Sequence, residues 1–310
     1  MRTTRRNRTP TEASPNKPPP AERRDDTASD RRDDGTRRTL EMVLDRVFRP
    51  AGWAARAAYA LGLQSGRTID VDRHSLSIVR TNGAPPLRVA FASDFHAGAT
   101  TSPAVLDAAC RALEELSPDV LLLGGDFVTV RADYIHLLVP LLARVDAPFG
   151  KFAVFGNHDL RANHTVLSRA LDTAGVTVLA NQTVRLSAPH DDVTIAGLDD
   201  PIRGTPRGEI LDDATALRIV LMHAPDGLIA LEDRHYDLAV CGHTHGGQIA
   251  MPGGSMPYLP YGKLSRKYPA GLFRLGPNGS RALLVSRGVG CSTIPIRVHS
   301  PAQVHLLTIG

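Results

Sequence analysis

Short apolar runs that stop at polar clusters set the rhythm of this chain. Leu87-Arg88-Val89-Ala90-Phe91-Ala92-Ser93 ends at Asp94-Phe95-His96, and Val120-Leu121-Leu122-Leu123 ends at Gly124-Gly125-Asp126. Phe152-Ala153-Val154-Phe155 runs into Gly156-Asn157-His158-Asp159. Leu217–Met222 stops at His223, and Asp237-Leu238-Ala239-Val240 at Cys241-Gly242-His243-Thr244-His245-Gly246-Gly247-Gln248. Runs of four to seven apolar residues bounded by turn signals predict buried strands.

Between them the period changes. Val105, Leu106, Ala109, Cys110, Leu113 and Leu116 share one face of a helix predicted over 103–116. Tyr134, Leu137, Leu138, Leu141 and Leu142 predict a second helical stretch, and residues 163–174 a third. Further strands are expected near 176–179, 183–187, 193–197, 282–286 and 303–309. Upstream, Ile69-Asp70-Val71 and Leu76-Ser77-Ile78-Val79 alternate, with a hairpin turn expected at Asn82-Gly83. Strand–helix alternation with apolar strands predicts sheets covered by helices, and α/β proteins place their sites at the C-terminal ends of such strands.

The first 66 residues read differently. Residues 1–38 offer only Met1, Ala13, Ala21 and Ala28 as apolar side chains, so a disordered basic tail is expected there. Residues 39–66 form an amphipathic helical segment. Leu40, Val43, Leu44, Val47 and Phe48 make its stripe, Pro50-Ala51-Gly52 interrupts it, and Trp53, Tyr59, Leu61 and Leu63 continue it beside Arg56. Such a helix docks on its own domain or lies on a membrane interface. The principal domain is expected over 67–310.

Charge and cysteine usage narrow the classes. The net charge of +4 invites a nucleic-acid reading, but the basic excess sits in residues 1–38 and the body is near neutral. Long duplex contacts need a basic stripe, which the body lacks. Three cysteines, Cys110, Cys241 and Cys291, make neither a disulfide framework nor a zinc motif. Thr36-Arg37-Arg38-Thr39-Leu40 resembles the start of a twin-arginine export signal, but Glu41, Asp45, Arg46, Arg49 and Arg56 interrupt any apolar core. A cytoplasmic or peripheral-membrane location is expected.

The polar clusters carry the chemistry. In order they are Asp94, His96, Asp126, Asn157, His158, His223, His243 and His245: carboxylate, imidazole and amide, with no thiolate. That donor set suits Mn²⁺, Fe²⁺, Zn²⁺ or Co²⁺. Seven ligands around two ions need one shared carboxylate, because a bridge lets each ion reach four protein ligands. Two such ions can clamp the oxygens of a phosphate during in-line attack.

These five clusters, in this order from residue 87 onward, resemble the motifs of the calcineurin-like metallophosphoesterase superfamily. Gly242–Gln248, with Arg287-Gly288-Val289-Gly290 and Ile294-Pro295-Ile296-Arg297, resembles its bacterial subgroup of YaeI- and YkuE-like phosphoesterases. The resemblance implies a four-layered α/β/β/α sandwich. It implies one divalent ion on Asp94, His96, Asp126 and His245 and another on Asp126, Asn157, His223 and His243, with manganese the ion for assay. It also implies a hydroxide between the ions as nucleophile and His158 as general acid. The expected substrate is a small, lipid or envelope-derived phosphate ester, with residues 39–63 as a membrane contact and no nucleic-acid partner. The competing expectation is a metal-binding scaffold without turnover.

Two departures stand out. In the phosphoprotein-phosphatase branch, the residue three after the bridging Asp is an Asp that orients the equivalent of His158; here it is Thr129. Ser300-Pro301-Ala302 lacks the glutamate expected in the subgroup. Asp199-Asp200 could touch substrate or metal-bound water but are expected to cap a turn; Arg161, Arg203 and Arg297 could pair with phosphate but are expected to be solvated or structural; and His74, His136, His164 and His235 are expected to lie on the surface.

Overall fold

Alternation along each strand decides which layer a side chain enters. On β2 (Leu87–Ala92), Leu87, Val89 and Phe91 point one way and Ala90 and Ala92 the other, and all five are buried. The same division holds on β3 (Val120–Leu123), where Val120 and Leu122 part from Leu121 and Leu123. A strand buried on both faces sits in the middle of a layered sandwich.

The computed structural model describes residues 39–48, 52–64, 69–78, 80, 83–212, 217–252 and 255–310. The tail expected over 1–38 lies outside them, as do Val79 and Asn82 of the expected hairpin. Leu40–Gly310 forms one compact unit. No described helix is long and apolar enough to cross a membrane.

Helices α1 (residues 39–48) and α2 (Trp53–Ala60) precede β1 (Asp70–Leu76). After β2 come α3 (Pro103–Glu115), β3, α4 (Val139–Arg144), β4 (Lys151–Ala153), α5 (Asn157–Arg161), α6 (His164–Thr173) and β5 (Val176–Val178). The second half runs β6 (Gln182–Arg185), β7 (Val193–Gly197), β8 (Leu217–Leu221), α7 (Leu228–Leu231), β9 (Leu238–Cys241), β10 (Gly271–Leu275), β11 (Arg281–Val285) and β12 (Gln303–Ile309).

The strands form two six-stranded sheets, ordered β1-β12-β2-β3-β4-β5 and β10-β11-β9-β8-β7-β6. Pairing is parallel except β12 with β2, β6 with β7 and β10 with β11. Leu76, Val89, Phe91, Leu122 and Val154 of the first sheet meet Ile195, Ile219, Val240 and Leu284 of the second in a shared core. The outer face of the first sheet packs on α3, α4 and α6, and that of the second on α7 and the Gly208–Leu211 turn. This is the expected four-layered α/β/β/α sandwich. Each fully buried Leu or Val contributes about 2 kcal/mol.

Three elements differ from expectation. One strand, β1, replaces the two short strands, running through Asp72, Arg73 and His74 because β12 supplies a continuous partner. The helical stretch around Tyr134–Leu142 splits into a 3-10 turn (Ala132–Leu137) and α4, which starts with Pro140 in its first turn. The half-exposed edge strand β10 was not expected. Downstream of α2, Gln64 pins the N-terminal helices to the body. Its amide donates to the carbonyls of Thr100 (2.8 Å) and Pro295 (2.9 Å), and its oxygen accepts from Ser102 N (3.0 Å).

Candidate metal centre

Parallel strands β2, β3 and β4 of one sheet and β8 and β9 of the other end on the same side, and their following loops meet there. The loops turn sharply. Asp94 (φ 55°), His96 (45°), Asp126 (53°), His243 (73°) and His245 (53°) all occupy the left-handed region. Non-glycine residues reach it at an energetic cost, and such costs collect at functional sites. Asn157 and His158 instead open α5, and His223 follows β8.

Glycines give the turns room. A Cβ on Gly242 would stand 2.1 Å from Asp94 Oδ2, and one on Gly156 would stand 2.3 Å from Asp126 Oδ1. Asp159 fixes the loops to each other. One carboxylate oxygen accepts from Phe127 N (2.9 Å) and Val128 N (3.3 Å), and the other accepts from Gly156 N (3.0 Å).

The structure brings together all eight candidate residues, and all are buried. Their donors fall into two sets around Asp126. Its Oδ2 lies 3.5 Å from His96 Nε2 and 3.3 Å from His223 Nε2. On one side His96 Nε2 is 3.1 Å from His245 Nε2, which is 3.6 Å from Asp94 Oδ1. On the other, His223 Nε2 lies 3.2 Å from Asn157 Oδ1 and 3.3 Å from His243 Nδ1. Asp94, His96 and His245 thus form one candidate ligand group, and Asp126, His223 and His243 another.

Backbone carbonyls aim the rings. His223 Nδ1 donates to Gly124 O (2.8 Å), His243 Nε2 to Tyr261 O (2.9 Å) and His158 Nδ1 to Thr129 O (2.7 Å). Each ring then presents its other nitrogen, which is how second-layer partners fix ligating imidazoles. Asp94 is oriented by Ser93 Oγ (2.6 Å) and His243 N (3.0 Å).

The electrostatics fit cations. Burial lowers His96 to about 4 and pushes His245 well below its ordinary value, aided there by His96 and Arg297. Both rings are neutral, yet their Nε2 atoms face each other at 3.1 Å, an arrangement that a shared positive charge would satisfy. Burial opposes ionisation of Asp126, but His223 and His158 hold it well below the usual range. Burial likewise opposes a charge on His223, and Asp126 overrides it and holds the ring well above 6.5. The site draws in positive charge, and its oxygen and imidazole donors suit borderline divalent ions.

Three roles were not legible in the motifs. Thr129 does orient His158, through its carbonyl and not its side chain. Arg297 is buried beneath the first donor set; its guanidinium donates to the carbonyls of Gly290, Ser300 and Arg287 and lies 3.2 Å from His245 Nδ1. Its only advance signal was the Ile294–Arg297 motif. Glu41 comes from outside any motif: its carboxylate lies 3.9 Å from His158 Nε2 and 3.4 Å from Arg161 Nη1. Helix α1 therefore docks through Glu41 and Asp45, the latter 3.1 Å from Tyr134 Oη, while Leu40, Val43 and Val47 of its apolar stripe are about half exposed.

Asp199 and Asp200 cap a turn, accepting from Thr205 N (2.8 Å) and Arg203 N (2.7 Å) respectively. Arg203, His136, His164 and His235 are exposed, whereas His74 is half-buried against His305. The three cysteines are buried free thiols. Beside the Tyr261 carbonyl that holds His243 lies a cavity of about 410 Å³, lined by Pro201, Ile202, Pro206, Ile229 and Lys263 among others.

Residues 87–247 match the family model described as calcineurin-like phosphoesterase. The chain is 32% identical over 245 residues to the phosphodiesterase YaeI of Escherichia coli, covering 76% of this chain and 87% of that protein. It is also 32% identical over 289 residues to the metallophosphoesterase YkuE of Bacillus subtilis, covering 87% of this chain and 99% of the relative.

Proposed function

The chain belongs to the calcineurin-like phosphoesterase family, and we propose that this metal-dependent phosphoester hydrolase acts on a lipid-borne phosphate ester at a membrane surface. The observation that carries the catalytic part is the sharing of Asp126 between two donor sets. Asp94, His96, Asp126 and His245 would hold one divalent ion; Asp126, Asn157, His223 and His243 would hold the other. The ions would polarise the phosphoryl group and generate a nucleophile from water at neutral pH.

The remaining work belongs to the chain. His158 cannot rotate freely, because Nδ1 is committed to the Thr129 carbonyl. Burial holds the ring well below its ordinary value, so its Nε2 would first take up the proton released by the attacking water and then pass it to the leaving oxygen. Arg161, next to Glu41 and hydrogen-bonded to Asn157 O (3.3 Å), is placed to pair with a phosphate once Glu41 withdraws. The cavity beside Tyr261 would take the leaving alcohol.

The outer face of α1 supports the membrane part. Leu40, Met42, Val43 and Val47 are about half exposed, Trp53 is exposed with its ring edge-on to Phe48, and Arg46 and Arg56 are also exposed. Exposed apolar side chains interspersed with arginine suit an anionic lipid surface. Docking there would draw on the same helix whose Glu41 faces His158, bringing the site to its substrate.

The test is sedimentation of the full chain with vesicles of phosphatidylcholine containing phosphatidylglycerol, beside a Val43→Glu, Val47→Glu variant. Binding by the wild type, weakened at least tenfold in the variant with hydrolysis of bis-(p-nitrophenyl) phosphate unchanged, is expected. Equal sedimentation of both, or of neither, would overturn the membrane reading and leave the hydrolase reading standing.

A further inference from the structure

A second group of metal-capable side chains lies at the edge of the first sheet. Asp72 and His74 are two residues apart on β1, so both project from the same face of the strand. β12 runs parallel beside it, and His305 stands directly opposite Asp72 in the register. The three donor atoms lie within 4.8 Å of one another. His74 Nε2 and His305 Nδ1 are 3.4 Å apart, with the rings stacked at a centroid distance of 5.6 Å.

The surroundings are built around this group. The Gln303 side chain donates to Asp72 Oδ2, and its own oxygen accepts from Arg287 N at 3.0 Å. One oxygen of Asp72 is thereby fixed, as outer partners fix ligating carboxylates. The Arg287 guanidinium, which disfavours a charge on His305, is engaged with Asp70 at 2.8 Å. His305 is buried, and its Nε2 has no hydrogen-bond partner. Burial brings His305 down to about 3 and also lowers His74, so both rings are neutral, the state a metal requires. None of these residues belongs to the catalytic donor sets.

We propose that Asp72, His74 and His305 form a third metal site, taking one divalent transition ion of the zinc class through two imidazole nitrogens and a carboxylate oxygen. A D-x-H pair on one strand with a third ligand on its neighbour presents three donors from a rigid surface and leaves the outward position to solvent. The imidazoles select against calcium and magnesium, which prefer all-oxygen sites. β1 is an edge strand bonded only to β12, so the ion cross-links the last strand of the chain to the strand that follows the N-terminal helices. Its role is to hold that edge and the helices leading into it.

The experiment is a metal count. Metal-stripped full-length protein is loaded with Zn²⁺, desalted and assayed for zinc per chain, beside His74→Ala and His223→Ala. The wild type is expected to retain one ion more than His74→Ala and to gain more thermal stability from Zn²⁺, while His74→Ala keeps its hydrolysis of bis-(p-nitrophenyl) phosphate. Loaded with Co²⁺, both the wild type and His223→Ala should lose one ion's share of the ligand-field absorption when His74→Ala is added. Equal zinc content and equal thermal shift in wild type and His74→Ala would overturn the proposal. Because His223→Ala removes a ligand of the catalytic centre and should lower hydrolysis, while His74→Ala removes one of the edge site and should lower only the metal count, failure of either reading is seen separately.

Discussion

The carboxylate of Glu41 lies 3.9 Å from Nε2 of His158, across a sequence separation that joins the first described helix to the heart of the site. The same carboxylate is 3.4 Å from Arg161. A negative charge therefore stands where an anionic phosphate must approach. Glu41→Gln should lower KM for a small soluble diester by about three- to tenfold, since relief of like-charge repulsion at about 4 Å amounts to about 1 kcal/mol under water-like screening. Steady-state kinetics with bis-(p-nitrophenyl) phosphate read this directly; an unchanged KM would place Glu41 outside the substrate path.

Gly156 offers a purely steric test. Its φ of −100° suits any residue, yet a Cβ there would meet Asp126 Oδ1 at 2.3 Å and His223 Cε1 at 2.6 Å. Gly156→Ala should displace the shared carboxylate and weaken metal binding by about 10- to 100-fold. Competition with a chromogenic chelator measures it, and retention of wild-type affinity would mean that Asp126 is not a shared ligand.

Asp159 acts on stability. It is fully buried and accepts from three backbone amides on the loops that carry Asp126 and Asn157. Removing the acceptor strands those donors, so Asp159→Ala should cost on the order of 3 kcal/mol. Urea denaturation of the metal-free protein gives the value, and a loss under 1 kcal/mol would show the loops are held by other means.

His305 sets an acid limit in chelated protein. Burial lowers it from 6.5 to about 3, with the neighbouring His74 and Arg287 also disfavouring its charge. The unfolded chain then binds the proton more readily than the folded one, so stability is full above pH 6.5 and falls as pH drops towards 3. At pH 5 the loss is about 2 kcal/mol. His305→Gln should flatten that part of the stability–pH curve; an unchanged slope would remove His305 as its source.

Much of this was legible because the ligand-type residues follow directly from apolar strands, and a strand end is marked in the sequence itself. Asp94, Asp126, His223 and His243 needed only the end of a run and the knowledge that parallel strands finish together. Glu41 was not legible. Amphipathicity says that two faces of α1 differ, and the usual inference docks the apolar one; here Arg161 and Tyr134, both distant in sequence, hold the acidic one. Thr129 misled for another reason: a side chain was weighed where the backbone carbonyl does the orienting. Strand β10 escaped because it is half-exposed and owes its place to β11. The pairing of His74 with His305 depends on a parallel register between residues 231 positions apart.

The central claim is that two ions on one shared carboxylate, with His158 beside them, hydrolyse a phosphate ester. Its most direct test is the rate of bis-(p-nitrophenyl) phosphate hydrolysis by metal-stripped protein as Mn²⁺ is added, beside His158→Ala at equal manganese content. Turnover should appear only with metal and should fall by about 10²- to 10⁴-fold in the variant. Turnover that ignores metal, or a His158→Ala rate equal to that of the wild type, would contradict the account.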